Sequence, residues 1–119
     1  MKHHLTTYRL DALELGYDAA HVHFCWRPFE KRSLQAQHAY RLLAEDLEKR
    51  GPLHPIITKD GHVLIGQRRV EILRRLGYTT VDAVEIDEDL DTWTGADLPR
   101  LEEFKRLLYG PGVVEAWLT

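Results

Sequence analysis

The sequence lacks the features that are typical of secreted and membrane proteins. It has a single cysteine, Cys25, so no internal disulfide can stabilise the fold. No apolar run approaches the ~18–20 residues that cross a bilayer, and the first residues lack the apolar core of a secretion signal. We therefore expect a cytoplasmic protein with no membrane partner.

The chain also lacks a large excess of charge of either sign. Its net charge of −3 gives no overall attraction to nucleic acid. We find no internal repeat, low-complexity tract or linker. With 119 residues, of which 44% are hydrophobic and 29% charged, the composition is globular and the length predicts one domain, 1–119.

The first clear pattern is an alternation of apolar and polar residues at His21–Trp26, which predicts a strand. Val22, Phe24 and Trp26 would share one face of this strand, and His21, His23 and Cys25 the other.

The best-defined helix begins after Ser33, which is the predicted N-cap, and runs to about Arg50, where Gly51 ends it. Its members at 3.6-residue periodicity form one stripe: Ala36, Ala39, Tyr40, Leu43, Ala44 and Leu47.

A hairpin follows this helix. Its strands are Pro55–Lys59 and His62–Ile65, and Asp60-Gly61 supplies the positive φ angles of a tight two-residue turn. A second helix then runs from about Gln67 to Leu76 and stops at Gly77.

The rest of the chain predicts a short strand at Val81–Ile86, a solvated acidic loop over residues 87–91, and a last helix capped by Asp97. Gly110 and Pro111 would end this helix, and the apolar tail after them would dock on the core. One face of the helix carries Leu98, Leu101, Phe104, Lys105 and Leu108.

This order of elements predicts an α+β fold with a small mixed β-sheet and packed helices. The core motif region is 33–86, and the C-terminal helix and tail span 97–119.

Two arginines at the start of the second helix are the most informative local feature. Arg68 and Arg69 lie where the helix dipole is already positive, which costs ~0.3–1 kcal/mol for each. A phosphate seated over Gly66 would offset this cost, because it would meet helix amides and two guanidinium groups. Helical angles place Arg69 in the middle of the apolar stripe, and hence pointing inward, and direct Glu71 toward solvent.

The alternative for the arginine pair is structural. Arg69 would then pair with a buried carboxylate such as Asp46 or Glu85, while Arg68 would be merely exposed.

The stretch from about Ser33 to Ile86 resembles the amino-terminal domain shared by ParB-type partition proteins and sulfiredoxin. Gly51-Pro-Leu-His-Pro55 followed by Ile-Ile is similar to the family's "Gly-x-x-x-Pro-Ile" start of a strand. Ile65-Gly-Gln-Arg-Arg69 is similar to its "Gly-Glu-Arg-Arg" box, and Leu76-Gly77 precedes a final strand as in the family.

The resemblance implies a bound nucleotide, CTP or ATP/ADP, with Mg²⁺. The residues it assigns to the phosphates are Gly66, Gln67, Arg68 and Arg69, with Arg27 as a further contact. DNA or a host protein is the expected second partner. Small stand-alone domains of this type occur in phage and mobile elements, which is compatible with the length of this chain.

Departures from the family leave catalysis open. Gln67 replaces the family's glutamate, so weak nucleotide hydrolysis or phosphotransfer would need another group, for which His54 and Glu30 are candidates. Cys25 lies far from the box in the sequence, whereas sulfiredoxin's catalytic cysteine lies within the matching box, so sulfiredoxin chemistry is not expected. The short stretch after Ile86 has no room for the helix-turn-helix domain of partition proteins.

Two other functions remain open. His21 and His23 are spaced like a metal pair on one strand face and would make a zinc-dependent hydrolase or nuclease, although no carboxylate or second Cys/His motif accompanies them. Alternatively, the domain is a non-enzymatic protein-interaction module whose apolar tail engages a partner.

Overall fold

A mixed β-sheet forms the centre of the computed structural model, which describes residues 1–26, 32–51 and 54–109. The strands are β1 His3–Arg9, β2 Glu14–Leu15, β3 Tyr17–Asp18, β4 His23–Phe24, β5 Ile56–Lys59, β6 His62–Ile65 and β7 Thr80–Ile86. Five of them lie in the sheet in the order β1-β7-β5-β6-β2, and β3 and β4 form a separate antiparallel pair. The pairs β1–β7 and β5–β6 are antiparallel, whereas β5–β7 and β2–β6 are parallel.

Helices cover both faces of this sheet. They are α1 Leu34–Arg50, α2 Gln67–Arg75 and α3 Leu98–Tyr109. Because successive strand residues point to opposite faces, Ile56 packs with α2 residues and its neighbour Ile57 with α3 residues. Helix α1 packs on α2 through Tyr40 and Leu47. The α+β fold with a small mixed sheet is confirmed.

Most of the elements with strong local signals form where they were predicted. Ser33 caps α1, since its hydroxyl accepts a hydrogen bond from the amide of Ala36. Asp60 (φ 50°) and Gly61 (φ 80°) make the tight turn between β5 and β6. Helix α2 and strand β7 also match their predicted positions to within about one residue.

The amino-terminal part differs from the prediction. Strand β1 was missed because it lies at the sheet edge, where every residue is exposed or only half-buried, so no clear alternation marks it. The six-residue strand predicted at His21–Trp26 is wrong. Only His23 and Phe24 form β4, Val22 is buried before it, and Trp26 is exposed after it.

The start of α3 also differs. Thr94 caps the 3₁₀ turn Gly95–Asp97 ahead of α3: its hydroxyl accepts from the amide of Ala96, and the Asp97 carboxylate accepts from the amide of Thr94. Asp97 therefore belongs to the short 3₁₀ turn that leads into α3. In the predicted solvated loop, Leu90 is buried in the core, because a second 3₁₀ turn at Leu90–Thr92 folds it inward.

Every helix in the described ranges is too short or too polar to span a lipid bilayer.

Candidate functional site

The corner between β6 and α2 depends on the missing side chain of Gly66. This residue has φ +100° and ψ 20° and immediately precedes α2. A Cβ atom here would lie 2.6 Å from Cγ2 of Ile56, closer than any normal contact. Glycine is therefore required by backbone conformation and by packing. It provides no side chain to cap α2, so the first amides of the helix face outward with the positive end of the dipole.

A cavity of about 520 Å³ opens in front of this helix start. It brings the four residues of the predicted box together with residues from α1, α3 and the segment after β4. Its described lining consists of Cys25, Trp26, Arg32, Ser33, Ala36, Leu43, Leu64, Ile65, Gly66, Gln67, Arg68, Arg69 and Lys105.

Arg68 and Arg32 give this cavity two neighbouring positive charges. Burial lowers the pKa of Arg68, and the charge of Arg32 lowers it further, against the opposing effect of Glu71. Arg32 Nη2 lies 2.7 Å from Glu71 Oε1, and the two side chains are only 9% and 11% exposed. The prediction that Glu71 points to solvent is therefore wrong, because Arg32 and Trp26 cover that side of α2 and both donate to its carboxylate.

Arg69 points inward, as its helical angle predicted. It is 3% exposed and donates to two backbone carbonyls, from Nη1 to His54 and from Nη2 to Pro55 at 3.2 Å. Its guanidinium carbon lies 5.7 Å from the centre of the Tyr109 ring, and the Tyr109 hydroxyl also donates to the Pro55 carbonyl, at 2.6 Å. Arg69 thus joins α2, the start of β5 and α3.

The two carboxylates proposed as alternative partners of Arg69 have other contacts. Glu85 is buried and accepts from the hydroxyls of Thr58 and Tyr8 and from the amide of Asp60. Asp46 forms an ion pair with Arg50 at 3.0 Å, one turn along α1. The sequence could not reveal that Arg69 donates to backbone carbonyls, because only the tertiary fold brings His54 and Pro55 next to α2.

A hydrogen bond from the side-chain amide of Gln67 to the backbone fixes the direction of this side chain. Nε2 donates to the carbonyl of Val63 at 3.1 Å, so the side chain turns back toward β6. A carboxylate at this position has no hydrogen to donate and would face the carbonyl oxygen with a negative charge. The amide is neutral and is not a general base, which separates binding at this corner from acid–base chemistry.

Two cations of the cavity were not assigned to it from sequence. The sequence predicted Lys105 on the apolar face of the last helix, and a charged residue in that position was the one sign of a special role. It is 5% exposed. Arg32 directly precedes the cap of α1, where only its position next to a helix start marks it.

The other predicted site residues have different outcomes. Arg27, Glu30 and the tail from Gly110 onward lie outside the described residues. The ring of His54 packs edge-on against Tyr109 at 5.8 Å, and His54 is not part of the described cavity lining. Its role as an acid–base group stays a prediction, as does partner binding by the tail.

The predicted histidine pair does not share a strand face. His21 lies outside β4, and His23 contacts Asp18 at 3.0 Å. In residues 1–26, 32–51 and 54–109 no group of three or more His, Cys, Asp or Glu side chains has a metal-binding arrangement.

The Tyr109 contact predicts an alkaline limit to stability. Burial raises its pKa to about 12 against the opposing effects of Arg69, so the fold favours the neutral phenol. The free energy of unfolding should be unaffected below the ordinary pKa of 10.0 and fall as pH rises toward 12, by about 2–3 kcal/mol.

Tyr109→Phe keeps the ring and removes this titration. At pH 9 the wild type should be more stable by about 1 kcal/mol, because its hydroxyl bonds to Pro55, and the difference should shrink and reverse above pH 10.5 in urea unfolding curves. Tyr8, Tyr17 and Tyr40 also have raised pKa values, so only the difference between the two proteins tests the assignment. A difference independent of pH would contradict it.

Comparison with known proteins supports a fold assignment. No protein-family model and no curated protein matches the chain. A solved structure described as a crystal form of the Pnob8-like ParB-N domain is similar, with a TM-score of 0.54 and 13% identity over 89% of this chain and 36% of that one. A structure described as the pNOB8-like ParB N-domain has a TM-score of 0.45 and 15% identity, over 91% and 34%. This protein matches little more than a third of the length of the first of these two solved chains. It has a ParB-like fold, similar to that of the ParB N-domain.

Proposed function

We propose that this domain binds a nucleotide, CTP or ATP/ADP, through its phosphates at the start of α2. The observation that carries the proposal is the convergence of Arg32, Arg68, Arg69 and Lys105 on the cavity at Gly66. These cations come from three separate parts of the chain. A volume of about 520 Å³ is within the usual range for small-molecule sites.

The corner offers a phosphate three kinds of favourable contact. The first amides of α2 donate hydrogen bonds, the helix dipole is positive there, and Arg68 supplies a forked donor. Arg69 adds its positive charge to the corner while its guanidinium group donates hydrogen bonds to the His54 and Pro55 carbonyls. The residues present therefore fit an anion better than a neutral ligand.

The charges of Arg32 and Arg68 support the same conclusion. Burial lowers the pKa of Arg68, and the charge of Arg32 lowers it further, against the opposing effect of Glu71. A phosphate dianion beside the two guanidinium groups would offset both the burial and the repulsion. The described lining contains no carboxylate. We therefore expect the phosphates and water, rather than this part of the protein, to hold Mg²⁺.

The proposal concerns binding. Hydrolysis or phosphotransfer is a separate prediction, which product analysis of the same samples would test. By analogy of fold we associate the binding with DNA partition or other DNA metabolism in the cytoplasm.

Arg68→Ala is expected to weaken binding of the preferred nucleotide about 10- to 100-fold, because charge-assisted hydrogen bonds are lost. The measurement is calorimetry with CTP, ATP and ADP, each with Mg²⁺. Arg106→Ala is the matched control, since Arg106 is exposed on α3 and outside the described cavity lining. The proposal fails if the wild type gives no heat with any nucleotide, or if both variants bind like the wild type.

A further inference from the structure

Lys105 is a buried cation of the cavity that the phosphate-binding box does not explain. It reaches the cavity from α3, on a different element from Gly66 and Arg68. Only 5% of the residue is exposed, and burying an ammonium group is unfavourable unless an opposite charge compensates it.

Its carboxylate partner, Glu102, is solvent-exposed and lies at a long hydrogen-bonding distance. Lys105 Nζ lies 3.3 and 3.5 Å from the two carboxylate oxygens of Glu102, longer than the 2.7–2.9 Å typical of charge-assisted bonds. The Glu102 side chain is 49% exposed, so water screens the attraction. Lys105 could therefore bind an anion in the cavity and lose only a weak ion pair with Glu102.

The rest of α3 holds Lys105 in place. Tyr109 lies one turn further along, on the same face of the helix, and its hydroxyl donates to the Pro55 carbonyl at 2.6 Å. Arg69 stacks near its ring and bonds to the same carbonyl. The contacts that fix the phosphate-binding corner therefore also fix the face of α3 that carries Lys105.

We propose that Lys105 binds a second phosphate group of the nucleotide, beyond the one at the start of α2, and leaves Glu102 to do so. This inference rests on the proposed function. Arg68 and the helix amides are adjacent on one element and hold the first phosphate, whereas Lys105 approaches from α3 and contacts the next. Lys105 thus makes the site selective for nucleoside diphosphates and triphosphates over monophosphates.

Calorimetry with AMP, ADP, CMP and CDP, each with Mg²⁺, tests this selectivity. Lys105→Met keeps the apolar stem and most of the length of the side chain and removes its charge. We expect it to weaken diphosphate binding about tenfold and to weaken monophosphate binding much less. Equal losses for monophosphates and diphosphates, or no loss, would overturn the inference while the proposed function stands.

Glu102→Gln provides an independent test on an exposed side chain. It removes the carboxylate that competes for Lys105, so diphosphate binding should tighten by a few-fold while monophosphate binding stays constant. A purely structural lysine–glutamate pair would give no gain, and that result would contradict the inference even if Lys105→Met failed to fold. Absence of all nucleotide binding in the wild type would instead reject the proposed function itself.

Discussion

Gly66→Ala is expected to destabilise the domain by about 2–5 kcal/mol, because it adds backbone strain and overpacking at one position. The residue has φ +100°, and its new Cβ would lie 2.6 Å from Ile56 Cγ2, inside the core cluster under α2. Urea unfolding followed by circular dichroism measures the loss.

Gly61→Ala is the matched control for this change. Gly61 also has a positive φ, +80°, but a Cβ there meets nothing within 4 Å, so only the backbone cost of about 1–2 kcal/mol is expected. The additional loss of stability at Gly66 then measures the cost of the steric contact with Ile56. This excess should shrink when both proteins carry Ile56→Ala. Equal losses at Gly66 and Gly61 would show that packing plays no part.

The fold was predictable where its signals are local. The Ser33 cap, the Asp60-Gly61 turn and the periodicity of α2 each depend on a few neighbouring residues, and each is confirmed. Strand β1 has no such signal. Its pairing with β7 joins residues more than 70 positions apart, from His3–Ile86 to Arg9–Thr80, and an edge strand with mostly polar side chains resembles an irregular segment.

The same division applies to the site. Gly66, Gln67 and Arg68 are contiguous, so the sequence identifies them as one corner between a strand and a helix. Arg32 reaches this corner from just before the cap of α1, and Lys105 reaches it from α3. No sequence pattern indicates which distant cations converge. The sequence predicted the inward direction of Arg69 but not its acceptors.

The role of Gly66 shows how one residue can have two explanations. Its sequence position indicated close approach of a ligand to the backbone. The structure adds a packing requirement that holds with or without a ligand, since Ile56 occupies the space of a side chain. Gly66 alone is therefore weak support for a phosphate site, and the converging cations provide the stronger support.

Arg69→Met is expected to destabilise the domain by about 2–5 kcal/mol, although methionine fills much of the same space. The His54 carbonyl would lose its charged donor, which costs about 1–3 kcal/mol for a buried group, and the Pro55 carbonyl would lose one of its two donors and keep the Tyr109 hydroxyl. The contact with the Tyr109 ring would be lost as well. Denaturant unfolding of the purified variant measures the effect.

Arg68→Met is the matched control, one position earlier on the same helix turn. Arg68 is half-buried and faces the cavity, so its loss should change stability by less than about 1 kcal/mol while it weakens nucleotide binding. Arg69→Lys restores the charge without the forked geometry that serves two carbonyls, and it should recover only part of the stability. If Arg69→Met and Arg68→Met are equally stable, Arg69 does not hold the corner together. If Arg69→Met is the less stable variant, a loss of nucleotide binding in it combines the damage to the fold with the lost positive charge, and Arg68 is the arginine that tests the ligand alone.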